Sequence, residues 1–189
     1  MKLNKRLLWF TAVLVVLTTL SKLVFAPRIE WSGFSPVMAI ALFSGMIVTD
    51  KSKSFLYPLI ALILSDAIIQ VLYLSKLFPF AGFYSSQMLN YVLLLGAVLI
   101  GWALKGKNYL RIFSGALAAP TLFFLVSNFI VWITQGVYVR PMNAGGLLLC
   151  LEDGLPFYKN SITGTFVFLP VLMFMYNYLT GKSYRIRLV

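Results

Sequence analysis

The feature that most constrains this chain is a series of apolar runs, each near the length of a membrane-crossing helix and each closed by basic or loop-forming residues. About 20 mostly apolar residues in a helix cover the hydrocarbon core of a bilayer. Six such segments fit into the 189 residues: 7–26, 34–49, 55–74, 87–104, 112–134 and 164–180. The expected fold is therefore all-α, a single six-helix transmembrane bundle over residues 1–189 with both termini cytoplasmic. Pro120 falls inside the fifth run, where a membrane helix tolerates a kink. The longest connection, residues 135–163, is expected as an outer lid loop carrying a short helix.

Composition agrees with this reading. The chain is 60% hydrophobic and 11% charged, whereas soluble domains carry about 25% charged residues. It has no histidine and one cysteine, which excludes histidine-based catalysis, His-ligated metal and an intrachain disulfide. The basic start before Leu7–Ala26 resembles a signal peptide, but Val24-Phe25-Ala26 lacks the small-residue cleavage pattern, so this segment is read as a retained membrane helix. Lys22 would then snorkel toward water at the outer end.

The net charge of +11 raises the question of nucleic acid, and the distribution answers it. With the N-terminus inside, the inner segments hold Lys2, Lys5, Arg6, Lys51, Lys53, Lys105, Lys107, Arg111, Lys182, Arg185 and Arg187. The outer side holds Lys22, Arg28, Lys76, Arg140 and Lys159. Eleven of sixteen basic residues thus flank the inner face, the bias that orients multi-pass proteins. No nucleic-acid partner is needed. A multi-pass protein of the cell inner (plasma) membrane, with the lipid bilayer as its surroundings, is expected.

Polar residues inside apolar runs are where function would reside. Asp66 lies in the third segment, where an isolated carboxylate is costly and faces a cavity or a partner. Gln70 lies one turn later on the same face. Asn90 opens the fourth segment, and Asn128 and Trp132 are i,i+4 neighbours in the fifth. All five converge on the outer half, where Trp132 could stack on a flat ligand. Glu152 and Asp153 give the outer loop an acidic pair able to contact a polar ligand. The alternative is that these groups are hydrogen-bonding glue between helices. Cys150 reads as a small apolar filler. The pairs Ala41/Gly45, Ala97/Gly101 and Gly115/Ala119 have the four-residue spacing that lets helices approach closely.

No Ser/His pair, phosphate-cradling Gly-rich loop or close carboxylate dyad at helical spacing is present, so the chain is expected not to be an enzyme and to need no cofactor. Nor does it contain a nucleotide-binding segment. Uphill movement of a solute would draw on an ion gradient or a separate subunit.

Two blocks carry a family resemblance. The first is Phe34-Ser35-Pro36-Val37-Met38-Ala39-Ile40-Ala41-Leu42-Phe43-Ser44-Gly45, followed by Pro58-Leu59 and Ser65-Asp66. The second is Phe123-Phe124-Leu125-Val126-Ser127-Asn128-Phe129-Ile130-Val131-Trp132, followed by Tyr138, Gly146-Leu147, Cys150 and Leu155-Pro156-Phe157. Together they resemble an uncharacterised family of bacterial membrane proteins, a domain of unknown function to which transport is ascribed. Gly33, Leu151 and Thr165 depart from its usual pattern. In size and topology that family is similar to the substrate-binding S components of energy-coupling-factor transporters. The resemblance implies a transport protein that binds a vitamin or other small micronutrient for uptake, working with an energy-coupling membrane subunit and its ATPases. The first segment lacks the Ala-x-x-x-Ala pair that many S components use to meet that partner, so solitary operation stays open. The alternatives are a non-transporting membrane scaffold or assembly subunit and, further off, an intramembrane enzyme using Asp66.

Overall fold

The computed structural model of the chain describes residues 5–48, 50–85, 87–104, 109–135 and 139–180. They form six α-helices and, among the described residues, no strand. The helices are α1 (Lys5–Phe25), α2 (Val37–Ile47), α3 (Lys51–Leu74), α4 (Gln87–Ala103), α5 (Tyr109–Thr134) and α6 (Ala144–Thr180), with one 3-10 turn at Ile29–Trp31. Two stretches, Lys51–Leu74 and Leu110–Thr134, are long and apolar enough to cross a membrane; Trp9–Phe25, Val37–Ile47 and Gln87–Ala103 are apolar but shorter.

Local chemistry explains the boundaries. α3 starts four residues earlier than expected because the Asp50 carboxylate caps it, accepting from the backbone N–H groups of Ser52 and Lys53 at 3.0 and 3.3 Å. The largest difference is at α6. Residues 144–163, expected as most of a lid loop, form one continuous helix with residues 164–180. The Asn143 side chain accepts from Gly146 N at 2.9 Å and starts the helix there. Gly145-Gly146 is thus the first turn of a helix. Pro156 and Pro170 lie within it.

α2 is the hub of the bundle. Every residue from Val37 to Met46 is buried, with α3, α4 and α6 packed around it. The Gly45 and Gly101 pairings explain how α4 comes so close. A Cβ on Gly101 would fall 2.9 Å from Gly45 Cα, and one on Gly45 would fall 3.1 Å from Gly101 Cα. Only two residues without side chains allow this crossing.

Contacts fix the helix directions. Phe10 near the start of α1 meets Phe43 at the end of α2 and Tyr176 near the end of α6, with ring centroids 6.0 and 5.5 Å away. Ser44 at the end of α2 donates to Ser54 O at the start of α3 at 2.7 Å. The far end therefore gathers the C-terminal part of α1, the N-terminus of α2, the C-terminal half of α3, the N-terminus of α4 and the first half of α6. The outward faces are apolar too: Trp9, Val16 and Leu20 on α1, Val71 on α3 and Val92 on α4 are all exposed. Of the basic residues expected to mark the inner face, Lys2, Lys105, Lys107, Lys182, Arg185 and Arg187 lie outside the described residues, as do the chain termini.

Candidate functional site

The polar residue that sequence singles out most strongly is at the centre of a buried network. Asp66, 4% exposed, is held by three donors from two neighbouring helices. Lys22 of α1 forms an ion pair with its Oδ1 and also donates to Ser65 Oγ at 2.8 Å. Gln87 Nε2 and the Tyr91 hydroxyl, both of α4, each donate to its Oδ2 at 2.5 Å. Gln87 Nε2 further donates to Tyr91 Oη at 3.1 Å. Lys22 therefore does not snorkel outward as expected. An unpaired carboxylate at this depth would be costly, and a cation within reach of the same cavity lowers that cost by turning inward.

Beside this network lies a cavity of about 590 Å³, within the range of small-molecule sites. Its lining includes Lys22, Asp66, Gln87 and Asn90 from α1, α3 and α4, and Phe124, Asn128, Gly154 and Tyr158 from α5 and α6. Lys22 and Asp66 are the charged side chains on its described lining. Paired with each other, they leave the lining without net charge. Phe124 and Tyr158 stack with centroids 4.6 Å apart at 20°, and the Tyr158 hydroxyl lies 2.8 Å from Thr121 Oγ1. Asn128 Nδ2 donates to Phe124 O at 2.8 Å. A Cβ on Gly154 would come within 2.6 Å of Asn128 Oδ1, so this glycine makes the space in which the amide sits.

Three of the seven candidate residues, Asp66, Asn90 and Asn128, are brought to this cavity; the other four stand elsewhere. Asn90 Nδ2 donates to Tyr84 Oη at 2.6 Å. Gln70 accepts from Phe83 N at 3.1 Å, holding the α3–α4 connection against α3. Gly82 lies there with no room for a side chain between it and the α3 backbone, where a Cβ would stand 2.6 Å from Gln70 N. Trp132 Nε1 donates to Pro141 O at 3.0 Å, and Asp153 pairs with Arg140 at 2.5 Å. Both secure the segment leading into α6. Glu152 is exposed on α6. Cys150 is buried.

Sequence reasoning missed Lys22, Gln87, Tyr91, Gly154 and the Phe124–Tyr158 pair. The Gln87/Tyr91 pair carries a usable signal: two hydrogen-bonding side chains at i,i+4 at the start of a helix whose remaining length past Tyr91 is apolar. The α6 residues carry none, because Gly145-Gly146 and Glu152-Asp153 give their stretch the composition of a loop.

The rim is tied together from the other side. Asn160 Nδ2 of α6 donates to Glu30 O at 2.7 Å and Ser32 O at 2.9 Å, joining α6 to the α1–α2 connection. Two connections and six helices thus converge on one cavity, lined by aromatic and aliphatic side chains and by a charge pair that neutralises itself.

No curated protein and no solved structure matches the chain. The family match runs over residues 1–187, essentially the whole sequence, and the chain belongs to this family of unknown function (DUF6580).

Proposed function

We propose that the chain is a six-span protein of the inner (plasma) membrane, with the Asp66 end facing outward, and that it binds a vitamin or other small micronutrient for uptake. The observation that carries this reading is the cavity itself: about 590 Å³ at one end of the bundle, partly open, with a paired charge and stacked aromatics among its lining residues. Helices that are apolar on both their packed and their outward faces suit lipid surroundings. The basic bias of the sequence gives the orientation. In this reading the chain is a binding component and not an enzyme. Energy for uphill transport would come from a coupling membrane subunit with ATPases or from an ion gradient.

The scaffold reading draws on a specific observation as well. Asp66 is already satisfied by Lys22, Gln87 and Tyr91, as interhelical glue would be. It leaves the cavity beside that network unexplained. Native mass spectrometry of the protein purified in mild detergent separates the two. Binding predicts a small molecule retained from cells, or taken up from the small-molecule fraction of a cell extract, and lost in Asn128→Ala. A wild-type protein that stays empty in both conditions contradicts the binding reading.

A further inference from the structure

Among the described residues that line the cavity, Gln87 has a buried side-chain oxygen, Oε1, with no partner. Gln87 is 8% exposed and lines the cavity. Its amide orientation is fixed by chemistry, because the group facing Asp66 Oδ2 at 2.5 Å must be a donor. Turning the amide over would set two acceptor oxygens against each other. Both amide hydrogens are used, one on Asp66 and one on Tyr91 Oη. What Gln87 has left is an acceptor, and an acceptor buried without a donor is costly.

The charge of the lining narrows the ligand further. Lys22 and Asp66 are paired, and Asp66 already accepts from three groups. A cationic ligand would have to displace Lys22 from Asp66. An anionic ligand would compete with Asp66 for Lys22. Either one disturbs the Lys22–Asp66 pairing, which compensates a largely desolvated carboxylate. An uncharged ligand disturbs neither. The stacked Phe124–Tyr158 pair on the lining favours a flat body.

Resting on the binding role proposed above, the geometry points to an uncharged, planar small molecule carrying an N–H donor, which Gln87 Oε1 accepts while the ring packs against the Phe124–Tyr158 side. Gln87 Oε1 is itself enclosed, so the donor meets it by displacing a neighbouring side chain. Asn128, also on the lining, has an amide oxygen that can serve as a further acceptor.

Matched probes test this. The purified protein is titrated with three sets built on one ring each: nicotinamide, N,N-dimethylnicotinamide and nicotinate; benzamide, N,N-dimethylbenzamide and benzoate; uracil, 1,3-dimethyluracil and orotate. Binding is read by ligand-observed NMR in detergent. The neutral N–H member of at least one set binds at least about tenfold more tightly than its N-methylated and its charged counterparts, the scale set by one unmet buried hydrogen bond. In Gln87→Met, that preference for N–H over N-methyl falls to within about twofold. Equal or tighter binding of the charged members overturns the ligand class while leaving a binding cavity in place. Binding of no member at millimolar concentration also overturns it, and the retained-ligand experiment then decides the broader reading independently. Should Gln87→Met not fold, the wild-type comparison within each set still decides.

Discussion

The Lys22 ammonium at the C-terminal end of α1 and the Asp66 carboxylate in α3 form a partly buried ion pair across 44 residues of sequence. The Asp66 side chain is 5% exposed and that of Lys22 22%, so neither charge is well hydrated without the other. This pair joins α1 to α3 and sets the electrostatics of the cavity.

Breaking the pair from one side should cost more than removing it. Lys22→Met alone leaves the buried Asp66 carboxylate uncompensated, with an expected loss of about 3 kcal/mol; Asp66→Asn should cost less, because the Lys22 side chain is partly exposed. The double variant Lys22→Met/Asp66→Asn should recover at least half of the summed loss. Thermal unfolding in detergent measures all three. Additive losses would show that the two charges do not depend on each other.

Gly154 should control the cavity more than the fold. A Cβ there meets the Asn128 amide and Phe124 Cε2, at 2.6 and 2.9 Å; both belong to side chains that can give way. Gly154→Ala should therefore leave the unfolding temperature within about 3 °C of wild type, while weakening retention of a cavity ligand by about tenfold or more, since small misplacements in a binding site are expensive. Native mass spectrometry beside a melting curve reads both quantities.

Two glycines of α4 should answer oppositely to one substitution. Gly101 stands against Gly45 Cα and the α2 backbone, while nothing lies within 4 Å of a Cβ on Gly96. Gly101→Ala is expected to destabilise by about 1–3 kcal/mol, the cost of overpacking. Gly96→Ala should be neutral or stabilise by up to about 1 kcal/mol through helix propensity. Equal effects would show that α2 and α4 do not cross at Gly45–Gly101.

How much of this was legible in sequence depended on whether the cause was local. Five helices follow from apolar runs and their breaks, because burial along a helix is written in consecutive residues. Asp66 stood out because a carboxylate among apolar residues has few affordable surroundings. Lys22 did not, since a lysine near a helix end looks the same whether it reaches water or a carboxylate 44 positions away. The first half of α6 was misread for a related reason. Gly145-Gly146 and Glu152-Asp153 have loop composition, and the helix is set by the Asn143 cap together with packing against α5. Trp132 and Asp153 looked like ligand contacts, whereas their partners Pro141 and Arg140 lie in a connection whose path only the fold defines.

The central claim, an outward-facing cavity in a membrane bundle, is tested most directly by labelling single cysteines in intact cells with a membrane-impermeant maleimide. In a Cys150→Ala background, Ala26→Cys and Ser161→Cys place a thiol on the cavity lining, and Lys53→Cys places one at the opposite end. The first two should label in intact cells and Lys53→Cys only after permeabilisation, with all three proteins in the membrane fraction. Labelling of Lys53→Cys alone in intact cells, or recovery of the protein in the soluble fraction, would contradict the account.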